Sequence, residues 1–144
     1  MKKKTLGRIL LALVALFLAI QLVPVWALQT NPPVAAEPRW DSPATRALAK
    51  QACFDCHSNE TVWPIYARIA PISWLITNDV RQGRSRLNFS EWQAGAGSLY
   101  TEEIARVISS GRMPPGQYAL LHPPARLTDV EKLELTQGLQ ASLK

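Results

Sequence analysis

Five consecutive residues, Cys53-Phe54-Asp55-Cys56-His57, constrain this chain more than any other stretch. They contain both cysteines and one of the two histidines in the 144-residue sequence. The spacing C-x-x-C-H is typical of covalent haem c attachment, in which two thiols bind one porphyrin edge and the next imidazole binds the iron. The motif therefore predicts one haem c on Cys53 and Cys56, with His57 as an axial iron ligand.

Three other chemistries also use paired cysteines. A thioredoxin-like dithiol needs a strand that leads into the motif, and no such strand is visible. A zinc site could combine the thiols with His57 and His122, but a histidine adjacent to a cysteine fits tetrahedral ligation poorly. A disulfide between Cys53 and Cys56 would close a very short loop and stabilise the chain little. Haem attachment is favoured over all three.

The first 28 residues form a separate segment, 1–28. Four basic residues precede an apolar run over residues 9–28, which as a helix would span roughly 30 Å of hydrocarbon. This arrangement predicts a single pass through the bacterial cytoplasmic membrane, with the following domain on the periplasmic side. The alternative is a signal peptide cleaved near Ala27, which would release the domain into the periplasm. The length of the run and the interfacial Trp26 favour an uncleaved anchor.

The net charge of the chain comes largely from that segment. Of 16 basic residues, four lie in the first 28 positions, which leaves 12 basic residues against 11 acidic ones in the remainder. The remainder is therefore close to neutral. This balance gives no support for a nucleic-acid partner.

Residues 29–39 contain three prolines and show no apolar periodicity. They predict an extended linker that holds the following domain, 40–144, a short distance from the membrane surface. Within that domain the patterns predict only helices. Their expected bounds are Pro43 to Ala52 with Ser42 as N-cap, Ile72 to Gln82, Thr101 to Gly111, and Thr128 to Leu143 with a Thr128–Glu131 capping box, and a further helix is expected to begin at Ser90.

The last helix is expected to pack against the first helix of the domain. Leu135, Leu139 and Leu143 recur every four residues, with Val130 and Leu133 in support. Gly138 lacks a side chain and would permit a close crossing. The small-residue face that it would meet consists of Ala44, Ala47, Leu48 and Ala52.

The segment after the motif is rich in aromatic residues and prolines. Trp63, Tyr66 and Trp74 have the area to wall a porphyrin, or they are ordinary core residues. A carbonyl near Pro64 or Pro71 is expected to accept the outer N–H of His57. The arginines that could pair with the haem propionates are Arg68, Arg81, Arg84, Arg86 and Arg112.

The stretch Arg112-Met113-Pro114-Pro115-Gly116 supplies a candidate for the sixth iron ligand. A methionine in a proline-stiffened loop, well downstream of the motif, is placed as in a cytochrome c. Met113 is therefore the predicted ligand. The alternatives are His122, water or an open position, with Met113 then a gap-filling core residue.

Four stretches in order, C-F-D-C-H-S-N-E-T-V-W, W-P-I-Y-A-R-I-A-P-I-S-W, L-N-F-S-E-W and G-R-M-P-P, resemble the bacterial haem-binding domain family. Its members are small, membrane-anchored, cytochrome c-like proteins. The resemblance covers about Trp40 to Gly138. It implies covalent haem c on Cys53 and Cys56, with His57 as the proximal ligand and Met113 as the distal one.

Two functions fit these features. Six-coordinate iron predicts single-electron transfer without enzymatic activity, with membrane or periplasmic redox proteins as partners. A haem-based sensor or a peroxidase-like enzyme would instead need an open or displaceable sixth position. Such an enzyme would also need a distal histidine or carboxylate, for which His122 is the candidate. Electron transfer by an all-α, cytochrome c-like domain is the favoured hypothesis.

Overall fold

The computed structural model describes residues 2–92 and 101–143. As predicted, this part of the chain is all-helical, with seven α-helices and no sheet. The helices are α1 (Lys2–Ile20), α2 (Pro43–Ala52), α3 (Phe54–His57), α4 (Ile72–Arg86), α5 (Thr101–Ser109), α6 (Gly116–Leu121) and α7 (Asp129–Ser142). Short 3-10 turns cover Val25–Leu28, Ile65–Arg68 and Pro123–Ala125.

Helix α1 is apolar and lies outside the packed part of the molecule. The span Lys3–Leu28 is long and apolar enough to cross a membrane, and none of its apolar window is buried within the structure. An apolar helix near an N-terminus is either a membrane anchor or a signal sequence.

Residues 29–39 contain no helix, and they lie along the domain instead of separating it from α1. The Asn31 side-chain amide donates to the Thr61 carbonyl at 2.8 Å. The backbone amide of Ala36 donates to the Ser90 carbonyl at 3.1 Å. We refer to residues 29–39 as the strap. Backbone hydrogen bonds of this kind need no apolar periodicity, so the sequence did not indicate them.

Helices α2 and α7 begin and cross as predicted. The Ser42 hydroxyl accepts a hydrogen bond from the Thr45 amide and caps α2. Thr128 and Glu131 form both hydrogen bonds of the capping box at the start of α7. A Cβ atom on Gly138 would lie 2.1 Å from the Thr45 hydroxyl oxygen. Only glycine therefore allows α7 to approach α2 this closely.

The buried faces of these two helices differ in part from the prediction. Leu135, Leu139 and Leu143 are buried, but Val130 and Leu133 are 66% and 57% exposed. Helical periodicity explains this, because those two side chains fall outside the four-residue repeat. On α2 the buried residues are Thr45, Ala49 and Ala52, whereas Ala44 and Ala47 are exposed.

The core continues into the C-x-x-C-H motif through an aromatic cluster. Phe54, the second residue of the motif, is 2% exposed and stacks on Phe89 with ring centroids 5.6 Å apart. Trp40 lies against both rings. Because Phe54 is held in the core, the thiols and the imidazole on either side of it are fixed in position.

The chain between α4 and α5 departs from the prediction. Helix α4 is one turn longer than expected and includes the basic residues up to Arg86. The helix predicted to begin at Ser90 is wrong at its start, because Glu91 forms an isolated bridge with Ala36. The Ser90 hydroxyl accepts from the Asn59 amide instead of capping a helix. The rest of that prediction, residues 93–100, lies outside the described residues.

Candidate functional site

An apolar cleft of about 440 Å³ lies between α3, α4 and α6. Its volume falls within the range of small-molecule sites, roughly 300 to 1,000 Å³. Cys53, Cys56 and His57 line one side of it, and Met113 lies among its lining residues as well. The fold thus brings the motif and the predicted sixth ligand to one cavity.

Helix α4 lies directly on the motif because it carries a glycine at the point of contact. A Cβ atom on Gly83 would lie 2.2 Å from the Cys56 carbonyl oxygen. No other residue fits at this distance without a shift of the backbone. Gly83 therefore sets how closely α4 and α3 pack, and with it the width of the cleft.

The His57 ring is oriented by the chain that follows α4. Its Nδ1 lies 3.0 Å from the Leu87 carbonyl oxygen, and the Phe89 amide donates to the His57 carbonyl at 2.8 Å. A carbonyl can only accept, so Nδ1 carries the proton and the lone pair is on Nε2, as in metal-bound imidazoles. Burial lowers the pKa of His57, which favours this neutral form. The predicted hydrogen-bond acceptor for His57, a carbonyl near Pro64 or Pro71, is wrong. Helix α4 is one turn longer than expected, and the residue that follows it, Leu87, supplies the carbonyl.

The two thiols are not joined to each other. Burial, and then the neighbouring Cys56, raise the pKa of Cys53 to about 12. Burial, and then the carboxylates of Asp79 and Asp55, raise the pKa of Cys56 to about 11. Both sulfurs are therefore protonated at neutral pH.

These pKa values predict slow alkylation of the protein made without haem attachment. At neutral pH we expect Cys53 and Cys56 to react with iodoacetamide at least roughly a hundredfold more slowly than in the urea-unfolded chain, because each unit of pKa lowers the thiolate fraction tenfold. The alkylation rate should rise with pH up to about pH 11 for Cys56 and about pH 12 for Cys53. Mass spectrometry of timed samples measures this, and equal rates in folded and unfolded protein would contradict it.

Met113 lies in the loop between α5 and α6. Its backbone amide donates to the Val107 carbonyl at 3.0 Å, which ties the loop to the end of α5. The side chain is 37% exposed and lines the cleft. The structure thus places Met113 at the cavity.

His122 also lines the cleft, but both of its ring nitrogens have neighbours in the structure. Nδ1 lies 3.0 Å from the Tyr118 carbonyl oxygen, and Nε2 lies 3.4 Å from the Tyr66 hydroxyl. The ring stacks on Tyr118 with centroids 4.0 Å apart. Of the two candidates for the sixth ligand, Met113 is the one whose side chain makes no hydrogen bond within residues 2–92 and 101–143.

A hydrogen bond that sequence reasoning missed links α6 to the motif. The Tyr118 hydroxyl donates to Asp55 Oδ2 at 2.7 Å, and the Val62 amide donates to Asp55 Oδ1 at 2.8 Å. Burial, and then the Asp55 carboxylate, raise the pKa of Tyr118, so the phenol stays protonated. Asp55 occupies a variable position of C-x-x-C-H, which gives no sequence signal for such a role.

Comparison with known families identifies the kind of domain. The sequence model of one family, described as a haem-binding domain, matches residues 15–141. The chain belongs to this family. No curated protein and no solved structure matches the chain. The match begins within α1 and covers the strap, so it extends beyond the resemblance predicted over about Trp40 to Gly138.

The side chains that line the cleft of the haem-binding domain are suited to haem, the ligand of its family. Two cysteines, a histidine and a methionine line a largely apolar cavity, and these are the residue types that bind covalent haem. Within residues 2–92 and 101–143, no three or more His, Cys, Asp or Glu side chains are grouped to hold a metal ion directly. The zinc alternative, which needed His122 together with the motif, therefore finds no support.

Of the other residues predicted to contact haem, only Tyr66 lines the cleft of the haem-binding domain. Trp63 and Arg68 line a separate pocket of about 400 Å³ beside residues 26–29. Trp74 lines neither cavity. The 3-10 turn at Ile65–Arg68 sends neighbouring side chains in different directions, which composition alone does not indicate.

Of the arginines predicted to pair with the haem propionates, only one lies at the cleft. Arg86 lines the cleft, but Arg68, Arg81 and Arg112 do not. Arg84 holds the strap in place. Its guanidinium donates to the carbonyls of Ser58 at 2.7 Å and Thr30 at 2.8 Å, so it is not available to a ligand.

Proposed function

We propose that this haem-binding domain carries one covalent haem c and transfers single electrons at the outer face of the cytoplasmic membrane. The observation that carries the proposal is the presence of Cys53, Cys56, His57 and Met113 around one apolar cleft. When bound, haem would supply an iron that accepts and releases one electron.

The residues of the chain have distinct tasks in this proposal. Cys53 and Cys56 would hold the porphyrin covalently, each thiol adding across one vinyl group to give a thioether. His57 presents Nε2 in an orientation fixed by the Leu87 carbonyl. Met113 supplies a thioether from the loop beyond α5. Apolar side chains of α4 line the cavity and would shield one side of a bound haem from water, which would limit solvent reorganisation during electron transfer.

Two further observations support an electron carrier at the membrane over an enzyme. A peroxidase-like reaction needs an acid or base beside the iron, and His122 would be the candidate. Its ring nitrogens, however, already face the Tyr118 carbonyl and the Tyr66 hydroxyl. The apolar helix α1 supports a location at the membrane, and we propose redox proteins of the membrane or periplasm as partners.

The decisive experiment is a set of visible and near-infrared spectra of the matured protein in both oxidation states. We expect the spectra of low-spin iron with histidine and methionine ligands. Replacement of Met113 by Ala should remove the methionine ligand, leave high-spin iron and allow rapid binding of carbon monoxide to the reduced protein. The Leu121→Ala variant is the matched control, because Leu121 also lines the cleft but carries no ligand atom.

The same spectra separate the alternatives. High-spin iron in the unaltered protein would contradict the carrier proposal and favour a sensor or a peroxidase-like enzyme. An unchanged spectrum in Met113→Ala would reject Met113 as the ligand. Loss of the low-spin spectrum in His122→Ala, but not in Met113→Ala, would assign the position to His122.

A further inference from the structure

The end of α1 is joined to one segment of the domain by side-chain hydrogen bonds. Gln21 directly follows α1, and its side chain bonds both peptide groups of Ala70, accepting from the amide at 2.9 Å and donating to the carbonyl at 3.1 Å. The Gln29 side chain donates to the Ala67 carbonyl. Residues 65–70 are therefore fixed beside the point at which the chain leaves α1.

Apolar side chains on and next to this segment face solvent. Ile65 is 84% exposed, Ile69 44% and Trp74 37%. None of the three lines the cleft, so a ligand bound there would leave them uncovered. A group of exposed apolar side chains marks a contact surface. We refer to Ile65, Ile69 and Trp74 as the docking surface.

The surroundings of the docking surface indicate what covers it. Trp26, Trp63 and Arg68 line the pocket of about 400 Å³ at the same place, together with Ala27 and Gln29. Tryptophan and arginine are the residues that meet the headgroup layer of a bilayer, through the amphipathic ring and the attraction to phosphate. None of these lining residues is acidic, so the pocket suits an anion.

We propose that the haem-binding domain lies on the outer leaflet of the membrane, with the docking surface among the lipids and Arg68 at the level of the lipid phosphates. This inference rests on the proposed membrane anchor, because Gln21 fixes the depth of Ala70 relative to α1. Ile72 and Leu75, which line the cleft, lie on the same part of α4 as Trp74. One wall of the cleft then faces the membrane, which favours a redox partner embedded in the bilayer.

The test uses the full-length, haem-loaded protein in nanodiscs of phosphatidylglycerol and phosphatidylcholine. A spin label is attached to a new cysteine at Ile65→Cys or Ile69→Cys. Its collision rate is measured with oxygen, which concentrates in lipid, and with a water-soluble nickel chelate. Each collision rate also depends on the spin relaxation of the label at its own position. Dividing the oxygen rate by the nickel rate removes this dependence. The matched controls are Val130→Cys and Leu133→Cys, whose native side chains are 66% and 57% exposed on α7. Unaltered protein tests for labelling of Cys53 and Cys56.

We expect the oxygen-to-nickel ratio at residues 65 and 69 to exceed that at residues 130 and 133 severalfold. A second substitution, Ile65→Asp, places a charge among the lipids. It should lower the ratio of docked to undocked domain roughly tenfold or more. The spin label at residue 69 reports this change. Equal ratios at all four positions would overturn the proposal. Low collision rates with both reagents would also overturn it, because a protein would then cover the surface. If the anchor itself fails, the protein leaves the nanodiscs altogether, which is a different result.

Discussion

Replacement of Gly83 by Ala is expected to destabilise the haem-binding domain by about 3 kcal/mol or more. The added Cβ would lie 2.2 Å from the carbonyl oxygen of Cys56 and 2.9 Å from its carbonyl carbon. Both are backbone atoms, so α3 and α4 must move apart. The movement would also separate His57 from Leu87. We therefore expect lower haem content as well as a lower urea midpoint.

Gly116→Ala is the matched control for this prediction. Gly116 begins α6, and a Cβ atom there would meet no atom within 4 Å. This variant should be as stable as the unaltered protein, or more stable by up to about 1 kcal/mol, because alanine reduces the freedom of the unfolded chain. If both variants unfold at the same urea concentration, the close packing of α4 on the motif is not essential.

Simultaneous replacement of Cys53 and Cys56 by Ser is expected to abolish covalent attachment of haem. Serine cannot form the thioether bonds that the C-x-x-C-H spacing serves. The variant should therefore release all of its haem into acidified organic solvent, whereas the unaltered protein should release none. Absorbance of the two phases after extraction measures the retained fraction.

The single variants Cys53→Ser and Cys56→Ser are the controls. Each keeps one thiol, so each should retain haem through one bond and show a shifted pyridine haemochrome band. Haem that stays with the denatured double variant would show that another residue is attached and would contradict the assignment. Stability of the apo forms should change little, because Cys53 and Cys56 make no disulfide.

Local signals in the sequence were sufficient for several elements. Ser42 and the Thr128–Glu131 pair marked the starts of α2 and α7 because capping depends on side chains a few residues apart. Gly138 indicated the close crossing of these helices, as the Thr45 contact confirms. The strap was less predictable, since its attachment depends on backbone groups of residues far along the chain.

The candidate site was predictable only where chemistry identifies the residue type. Cys53, Cys56 and His57 form a motif, and Met113 stands in a distinctive loop, so the sequence predicts all four, and the structure places them at one cleft. Leu87 was missed, because any residue offers a carbonyl and the length of α4 decides which one reaches the ring.

Other residues that were predicted to contact haem do not line the cleft, for a related reason. Trp63 and Arg68 have suitable side chains for a haem pocket, but composition does not show which side of the 3-10 turn they occupy. Asp55 was missed because its partner, Tyr118, is brought near only by the tertiary fold. Electron transfer itself stays a prediction, since family membership establishes haem binding alone.

The contacts that orient His57 also determine when the domain can close during folding. The imidazole is held by Leu87, and the strap is held by Arg84 and Ser90, all of which follow the motif in the chain. Contacts between residues so far apart in sequence form late, because a long loop must close first. A growing chain therefore presents both thiols and the imidazole before their partners exist. On the proposed function, we expect haem to reach both thiols in that interval, before Leu87 orients the imidazole.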